Sequence, residues 1–294
     1  MKVMYPMRVD NAVIMCAGTS SRFAPLSYEH HKALTVVRGE VLIERQIRQL
    51  LEAGVPDIYL ITGYQAAAFD YLKDAYGVQL IHNAAYLERN NNSSIWAARD
   101  VMANSYLCSS DNYFVENPFE AEVDDAYYAA EYAEGHTDEW CMTEDAEGYI
   151  DSVTVGGENA WYMMGHTFWS QEYSERFIRI LEREYQLPET AGKLWESIYA
   201  EHLDELKMRI RRYDPGVIFE FDSLDELRLF DESYVSDTRS TILAHLARQL
   251  GCTEADIVNV VPIKGTTTAA EGFEFRCKTT TYRYRYADAS LAAC

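Results

Sequence analysis

The first 110 residues alternate short apolar runs with segments of helical periodicity, and this alternation constrains the fold more than any other feature. The strand-like runs occupy residues 11–17, 57–63, 78–81 and 106–109. Between these runs, apolar residues recur three and four positions apart, as at Ile43, Ile47 and Leu50, which predicts helices. Four such β–α units predict an α/β fold with a doubly wound, mostly parallel sheet, which binds ligands at the carboxyl ends of its strands.

The chain after residue 110 predicts antiparallel additions to this sheet and a small C-terminal appendage. Short strand-like runs separated by glycines occupy residues 126–132, 139–143, 150–155 and 161–169. Helices and further short strands follow, and Ser236 with Asp237 predicts the cap of another helix. Two more strand-like pieces lie around residues 266–272. We therefore expect two domains, residues 1–236 and an appendage over residues 237–294.

The composition is that of a globular protein with a strong excess of acidic residues. Lysine and arginine number 26 against 47 aspartates and glutamates, which gives a net charge of −21. This charge argues against a broad nucleic-acid interface, and any phosphate ligand needs a local group of cations. No apolar run approaches the roughly 20 residues of a membrane span, and the N-terminus lacks the apolar core of a signal peptide. The six cysteines form no Cys-x-x-Cys pair, which predicts reduced thiols without zinc and a cytoplasmic protein.

The phosphate loop, residues 16–26, is the segment that says most about function. It reads Cys-Ala-Gly-Thr-Ser-Ser-Arg-Phe-Ala-Pro-Leu, and its backbone N–H groups follow the first buried strand at the carboxyl edge of the predicted sheet. The candidate nucleotide-binding residues of the loop are Ala17, Gly18, Thr19, Ser20 and Ser21. Arg22 and Lys32 supply positive charge, but the loop lacks the Gly-Lys-Ser/Thr ending of a Walker motif. Taken alone, the loop also fits an ordinary β–α turn.

The order of residues in and after this loop resembles a known family. Gly-x-x-Ser-Arg-Phe-x-Pro-Leu from Gly18, followed by Lys-Ala-Leu from Lys32, resembles the signature of nucleotidyltransferases that couple a nucleoside triphosphate to a phosphorylated small molecule. Later segments resemble the bacterial CTP:phosphocholine cytidylyltransferases. They are Asn83-Ala84-Ala85-Tyr86, Asn90-Asn91 with Ser94-Ile95, Asn104-Ser105-Tyr106 with Asp111-Asn112-Tyr113, Glu139-Trp140, Gly165 with Phe168-Trp169, and Phe219-Glu220-Phe221-Asp222-Ser223. The likeness extends in order over about residues 10–232 and implies a Rossmann-like nucleotidyltransferase fold.

The resemblance implies that a phosphate oxygen of the second substrate attacks the α-phosphorus of CTP and releases pyrophosphate. Because a phosphate monoester is largely dianionic at neutral pH, this reaction needs alignment and charge neutralisation rather than a general base. Arg22 would grip the β- and γ-phosphates, and Lys32 would contact the α-phosphate or the substrate phosphate. Mg²⁺ would be the cofactor, held by Asp111 after the fourth strand and by Asp222 with its companion Glu220. The last two residues lie two positions apart, so on a strand they would share one face.

Two asparagines and a serine between the third and fourth strands are candidates for holding the nucleotide base. Asn83, Asn91 and Ser94 offer amide and hydroxyl groups to the edge of a pyrimidine. The same residues fit helix capping and turn formation, and the sequence leaves both roles open.

Recognition of a quaternary ammonium needs aromatic faces beside a carboxylate, and two clusters supply these groups. They are Asp138-Glu139-Trp140 and Trp195-Glu196. Both tryptophans also fit the hydrophobic core, so this assignment has a plain alternative. Leu194 stands where relatives of this branch carry a tyrosine. The absence of that tyrosine favours a primary ammonium over a trimethylammonium group. Phosphoethanolamine and 2-aminoethylphosphonate are therefore alternatives to phosphocholine as the second substrate.

Three positions depart from the family pattern. Ser20 stands where the family has a second glycine, His31 where it has a proline, and Ser109 where it has a further aspartate. These changes keep a non-catalytic nucleotide-binding regulator open. A sugar-1-phosphate nucleotidyltransferase also stays open, because the resembled superfamily shares the phosphate loop. The sequence also leaves a homo-oligomer open.

The C-terminal segment, residues 237–294, resembles the first hairpin of bacterial choline kinases, which in some bacteria follow such a transferase. The residues that carry this likeness lie at 252–257, 262–265, 273–275 and 282–285. The chain ends before any catalytic aspartate of a kinase, so we expect no kinase activity. Docking, dimerisation and an evolutionary remnant all stay open as explanations of this segment.

Overall fold

The computed structural model describes residues 6–265 and 269–294, and it contains the predicted alternation of strands and helices. The strands are β1 (Met7–Arg8), β2 (Asn11–Cys16), β3 (Val36–Val37), β4 (Glu40–Val41), β5 (Asp57–Thr62), β6 (Gln79–His82), β7 (Ser105–Ser109), β8 (Asn112–Phe114), β9 (Glu122–Val123), β10 (Tyr127–Glu144), β11 (Ile150–Trp169), β12 (Arg209–Arg212), β13 (Ile218–Glu220), β14 (Ile257–Lys264), β15 (Ala270–Cys277), β16 (Thr280–Arg285) and β17 (Leu291–Ala293). The α-helices are α1 (Leu26–Glu29), α2 (Leu42–Glu52), α3 (Tyr71–Tyr76), α4 (Asn92–Ala98), α5 (Gln171–Glu184), α6 (Trp195–Glu201), α7 (Leu224–Phe230), α8 (Ser233–Ser236) and α9 (Thr241–Leu250). Short 3₁₀ turns lie at Ser21–Phe23, Lys32–Leu34, Ala66–Phe69, Pro188–Thr190 and Glu254–Asp256.

The chain forms two compact units that differ in their sheets. The first unit contains the chain up to Gly18 together with Glu44–Phe219. The second contains Thr19–Ile43, named here the cation segment because it carries both predicted phosphate-binding cations, together with Glu220–Cys294. The C-terminal segment 237–294 therefore shares its unit with the cation segment. A domain boundary after residue 236 stays a prediction.

The first unit is built on a seven-stranded sheet in the order β12–β10–β11–β7–β2–β5–β6. β2 is parallel to both of its neighbours, β5 and β7, and β5 is parallel to β6. β11 runs antiparallel to β10 and to β7, whereas β12 pairs in parallel with β10. The predicted α/β fold, with a mostly parallel sheet and antiparallel additions, is confirmed.

Aromatic side chains on α5 and α6 bury one region of this sheet. Trp169 at the end of β11 packs against Phe177 of α5 and Trp195 of α6, with ring centroids 4.6 and 5.3 Å apart. Phe177 and Leu181 lie four positions apart and are both fully buried, as the helical periodicity of the sequence predicts. Burial of each such side chain stabilises the fold by roughly 1.5–3 kcal/mol.

The four short strands predicted within residues 126–169 are wrong, because the region forms two long strands. β10 and β11 contain 18 and 20 residues and pair as an antiparallel hairpin with several register shifts. Gly156 lies inside β11 with φ +81°, a conformation that a β-bulge accommodates and that L side chains avoid. The glycine was therefore a site of local bending rather than a strand end.

The C-terminal part of the second unit contains more strands than the sequence suggested. β14, β15, β16 and β17 form an antiparallel sheet in chain order, and Phe273, Phe275 and Tyr284 are buried in it. Residues 266–268, where part of one strand-like piece was predicted, lie outside the described residues. The predicted helix cap at Ser236 and Asp237 is also wrong. Ser240 caps α9 by accepting from the Leu243 N–H, while Asp237 accepts from the Arg239 N–H in the preceding turn.

The cysteines are free thiols, as predicted. Cys16, Cys108, Cys141 and Cys277 are buried, Cys252 is half-buried and Cys294 is exposed. Across the part of the chain that the structure describes, no helix combines the length and the apolar character that crossing a membrane requires.

Candidate functional site

The carboxyl ends of the parallel strands in the first unit bring several predicted residues to one edge of the sheet. The Tyr64 N–H, just after β5, donates to the Ala17 carbonyl at 3.0 Å, and the Asn83 N–H, just after β6, donates to the Thr62 carbonyl at 2.8 Å. β7 pairs in parallel with β2 up to Met15 and Ser109, so Asp111 follows at the same edge. This is the edge at which parallel sheets bind ligands.

The backbone around Ala17 is closely packed on one side and open on the other. A Cβ added to Gly63 would lie 2.8 Å from the Ala17 carbonyl oxygen and 2.7 Å from Tyr86 Cγ, so only glycine fits there. A Cβ added to Gly18 would meet nothing within 4 Å. The phosphate loop therefore begins with a closely packed residue, Ala17, and has open space beside the next residue, Gly18. Gly63 was not among the predicted site residues, although its position at the end of an apolar run marks it in the sequence.

Ser20 adopts the left-handed conformation, with φ 48° and ψ 44°. Glycine adopts this conformation without strain, whereas other L residues pay roughly 1–2 kcal/mol for it. The position at which the resembled family carries glycine is thus one where the backbone favours glycine. Ser21–Phe23 follows as a 3₁₀ turn in which Phe23 is buried.

Both predicted cations converge on a single carboxylate in the second unit. The Arg22 guanidinium forms an ion pair with one oxygen of Asp222, and Lys32 Nζ lies 3.3 Å from the other oxygen. The Arg22 side chain is 70% exposed, whereas the Lys32 side chain is only 3% exposed and lies over the Phe23 ring. A buried ammonium needs an anionic neighbour, and Asp222 supplies one.

His31 replaces a proline of the resembled family without changing the backbone that a proline would need. It has φ −62°, close to the fixed φ of proline, and the preceding His30 is extended. The His31 imidazole Nδ1 also accepts from the Ala33 N–H at 3.1 Å and so caps the turn that carries Lys32.

The three predicted magnesium ligands end or follow strands, but one part of the argument for them is wrong. Asp111 lies between β7 and β8 and is half-buried, and Glu220 is the exposed last residue of β13. Asp222 lies beyond that strand, because Ser223 and Glu226 form a capping box that begins α7. Asp222 and Glu220 therefore do not share a strand face as predicted. Ser109 ends β7, and its carbonyl accepts from Gln46 Nε2 at 3.1 Å.

The predicted base-binding residues of the first unit all make hydrogen bonds within the protein. Asn83 is buried, and its amide donates to the hydroxyls of Ser93 and Ser94 at 2.8 and 3.3 Å. Asn91 accepts from the Trp195 N–H at 2.7 Å and donates to Glu196 at 3.1 Å. Asn83 thus joins the end of β6 to α4, and Asn91 joins the start of α4 to α6. Asn83 Oδ1 also accepts from the Ala85 N–H at 3.0 Å, which is the predicted turn role, whereas the Asn91 side chain does not cap α4. Nucleotide binding by these residues stays a prediction.

The two predicted head-group clusters lie in different surroundings. Trp195 is 1% exposed and stacks on Tyr128 with centroids 5.6 Å apart, so it belongs to the core. The half-buried Glu196 lies 3.5 Å from the Tyr128 hydroxyl, and burial raises the pKa of Glu196 to about 7. The Asp138 side chain is 97% exposed beside His136. Glu139 is exposed, and Trp140 is half-buried against the core. Tyr128 was missed because no motif marks it.

Comparison with known proteins shows which family this chain belongs to. Residues 12–127 match the family model of the MobA-like NTP transferase domain. The chain is 31% identical to a choline-phosphate cytidylyltransferase of Streptococcus pneumoniae over 221 residues, which are 75% of this chain and 96% of the relative. It is 34% identical to a 2-aminoethylphosphonate cytidylyltransferase of Lancefieldella rimae over 234 residues, which are 78% of this chain and 95% of that protein.

Solved structures show the same fold. The structure of a CTP:phosphocholine cytidylyltransferase from Streptococcus pneumoniae matches with a TM-score of 0.73 at 31% identity, and the match covers 77% of this chain and 99% of that one. A putative glucose-1-phosphate thymidylyltransferase from Bacillus anthracis matches with a TM-score of 0.62 at 13% identity, over 76% of this chain and 95% of that one. At this lower identity, the likeness concerns the fold alone.

Proposed function

Since this chain belongs to the cytidylyltransferases of the NTP transferase superfamily, we propose that it transfers CMP from CTP to the phosphate or phosphonate group of a small amine. The observation that carries this proposal is the convergence of Arg22 and the buried Lys32 on Asp222. In a chain with a net charge of −21, two cations held beside one carboxylate form a local site for a polyphosphate. CTP and the amine are the proposed substrates, pyrophosphate is the second product, and the cytoplasm is the proposed location.

The proposed reaction asks the protein for alignment and charge neutralisation. The nucleophile is an oxygen of the acceptor's phosphate or phosphonate group, which already carries negative charge near neutral pH, so no residue needs to remove a proton. Arg22, which is exposed and has a long side chain, would contact the β- and γ-phosphates of CTP. Lys32, which is buried and fixed, would contact the α-phosphate or the acceptor phosphate where charge develops.

We also propose that Mg²⁺ binds to Asp111, Glu220 and Asp222. The donor set fits this ion, because all three side chains are carboxylates and Mg²⁺ prefers hard oxygen ligands. When bound, the ion would neutralise charge on the triphosphate oxygens. Asp222 would hold it while remaining beside Arg22 and Lys32, so the carboxylate would orient the two cations as well as bind the metal.

Glu196 is our candidate for binding the ammonium group of the acceptor. Its carboxylate is positioned by Asn91 at 3.1 Å and lies beside the Tyr128 hydroxyl. Phosphocholine is the acceptor that the sequence resemblance implies. A second acceptor class is favoured by one observation. Trp195 is buried beneath Tyr128, so it offers no free face to a trimethylammonium group, and a primary ammonium that hydrogen-bonds to Glu196 fits these surroundings.

Pyrophosphate release by the purified full-length protein tests the proposal. CTP and Mg²⁺ would be supplied with phosphocholine, phosphoethanolamine, 2-aminoethylphosphonate or glucose 1-phosphate in parallel reactions. We expect release with one or more of the three amines, loss of release in Asp111→Asn, and little change in the matched control Asp100→Asn, whose side chain is 81% exposed. Release with glucose 1-phosphate alone would establish a sugar nucleotidyltransferase. Binding of CTP without release of pyrophosphate in any of the four reactions would favour another phosphorylated acceptor or a regulator.

A further inference from the structure

The cation segment is held by an aromatic stack against the C-terminal segment. Tyr28 of α1 and Tyr286, which directly follows β16, stack with ring centroids 3.8 Å apart and planes inclined by only 7°. Both residues belong to the second unit, and Tyr28 lies between Arg22 and Lys32 in the sequence. A parallel stack of this kind restrains both the position and the tilt of the two rings.

A second contact joins the next residue of the cation segment to α9. The Glu29 carboxylate accepts from the backbone N–H groups of Thr241 and Ile242 at 2.8 and 3.3 Å, and from the hydroxyls of Ser240 and Thr241. A carboxylate is favoured at the N-terminus of a helix because it satisfies free N–H groups and complements the helix dipole. Glu29 therefore ties α1 to the beginning of the ten-residue helix α9.

Further contacts hold the cation segment on either side of these two residues. The turn Ser21–Phe23, which contains Arg22, contacts β14. Beyond Lys32, the Val36 carbonyl accepts from the Arg239 guanidinium at 2.6 Å and from the Tyr234 hydroxyl at 2.7 Å. The two cations thus lie on a stretch of chain whose beginning, middle and end are bound to residues 234–286.

We propose that Glu29 and Tyr286 are positioning residues for nucleotide binding, and that the C-terminal segment acts as the support of the cation segment. The inference rests on the proposed function, because it assumes that Arg22 and Lys32 bind the triphosphate. A cation segment that is already held in its binding conformation loses less conformational entropy when CTP binds. The C-terminal segment therefore raises the affinity for CTP without contacting the nucleotide. Loss of the support should raise KM and Kd for CTP more than it lowers kcat.

A matched pair of variants, one just beyond β16 and one within it, tests this inference. Tyr286→Ala removes the ring that stacks on Tyr28, whereas Tyr282→Ala removes a ring that stacks on Phe275 within the C-terminal sheet, at 5.5 Å and 21°. We expect Tyr286→Ala to raise KM and Kd for CTP about tenfold, and Tyr286→Phe to stay within about twofold of the wild type. Both Tyr286→Ala and Tyr282→Ala should lower the melting temperature, by similar amounts. Tyr282→Ala should change KM and Kd for CTP little. Steady-state kinetics, calorimetric titration with CTP and thermal unfolding provide the measurements.

Equal CTP affinities in Tyr286→Ala, Tyr282→Ala and the wild type would overturn the inference. Glu29→Gln provides a second test that keeps the size of the side chain but removes the charge at α9, and it should also weaken CTP binding. If Tyr286→Ala does not fold, Glu29→Gln decides the question. A wild type that binds CTP but releases no pyrophosphate refutes the proposed transfer reaction, and the binding titrations then still decide whether the support exists.

Discussion

Lys32 Nζ lies 3.3 Å from Asp222 Oδ1, and the Arg22 guanidinium pairs with the other oxygen of the same carboxylate. The lysine is buried and the carboxylate is partly exposed, so Asp222 connects a buried positive charge to the surface of its unit. One acidic residue thereby keeps two cations close together in a chain that is otherwise strongly acidic. A triphosphate that binds here meets two cations that Asp222 already holds close together, so binding need not bring them together.

Removal of Asp222 should separate the structural role of Lys32 from its chemical role. Asp222→Asn leaves a buried ammonium without this carboxylate, so we expect the free energy of unfolding to fall by about 1–3 kcal/mol. Adding Lys32→Met should recover part of that stability, because the buried charge is then gone. Lys32→Met alone should lower kcat/KM for CTP about 100-fold or more. Urea unfolding and initial rates measure both effects, and a double variant as unstable as Asp222→Asn would contradict the charge argument.

Two glycine-to-alanine variants at the same edge of the sheet should differ in their effects: one should lower stability and the other should weaken CTP binding. Gly63→Ala places a Cβ against the Ala17 carbonyl and the Tyr86 ring, so we expect a destabilisation of about 1–3 kcal/mol. Gly18→Ala meets nothing within 4 Å and should leave the melting temperature unchanged. If the loop backbone approaches the triphosphate at Gly18, the same variant should raise Kd for CTP. Thermal unfolding and CTP titration of both variants check this contrast, which a destabilised Gly18→Ala would refute.

Replacement of Ser20 by glycine should stabilise the protein. Its left-handed conformation costs a serine more than a glycine, although glycine gives the unfolded chain more freedom, so we expect a gain of up to about 1 kcal/mol. Activity should be retained, since glycine is the residue of the resembled family at this position. Ser21→Gly, in the adjacent 3₁₀ turn, is the control and should reduce stability. Chemical unfolding of the two variants gives the comparison, and a loss of stability in Ser20→Gly would show that the strain is absent.

Acceptor binding should depend on pH through Glu196. Burial raises the pKa of Glu196 to about 7, so the carboxylate is neutral in acid and charged in mild alkali. An ammonium group binds the charged form better, and KM for the amine should therefore rise as the pH falls from 8 to 6, by up to about tenfold. Glu196→Gln should show a higher KM and should lose this component of the profile. A profile identical to that of the wild type would assign the titration to the substrate.

The same group makes a prediction about folding stability. Because the folded-state pKa lies above the unfolded value, the folded chain binds the proton more tightly between about pH 4.5 and 7. The contribution of Glu196 to stability is therefore fully present below that interval and is lost as the pH rises through 7. Glu196→Gln should flatten the fall in stability across this interval, and unfolding curves at pH 5 and pH 8 measure the difference.

The buried strands and the cation pair could be predicted because both depend on short-range patterns. β2 and β5 are apolar runs in the sequence, and their bounds in the structure lie within one residue of the predicted ones. Arg22 and Lys32 were recognised from a short motif and indeed lie in one unit beside Asp222. A short stretch of sequence was sufficient for these predictions, because none of them required knowing which distant residues pack together.

Other features depended on packing between distant residues, which single positions do not reveal. Gly156 predicted a strand end, but cross-strand pairing carries β11 through it as a bulge. Trp195 and Glu196 together supply the aromatic ring and the carboxylate of an ammonium-binding site, but Tyr128, 67 positions before Trp195, stacks on its ring. The link between the cation segment and α9 had no sequence signature, since the Glu29 carboxylate and the Thr241 N–H are 212 residues apart.

This separation along the chain has a consequence for the order of events during synthesis. All seven strands of the central sheet of the first unit are available once β12 has left the ribosome, so they can pair before the later part of the chain has emerged. α1 emerges early, but Glu29 cannot cap α9 until Thr241 has emerged, and Tyr28 cannot stack until Tyr286 has emerged. A nascent chain would thus form its central sheet well before the contacts that hold the cation segment.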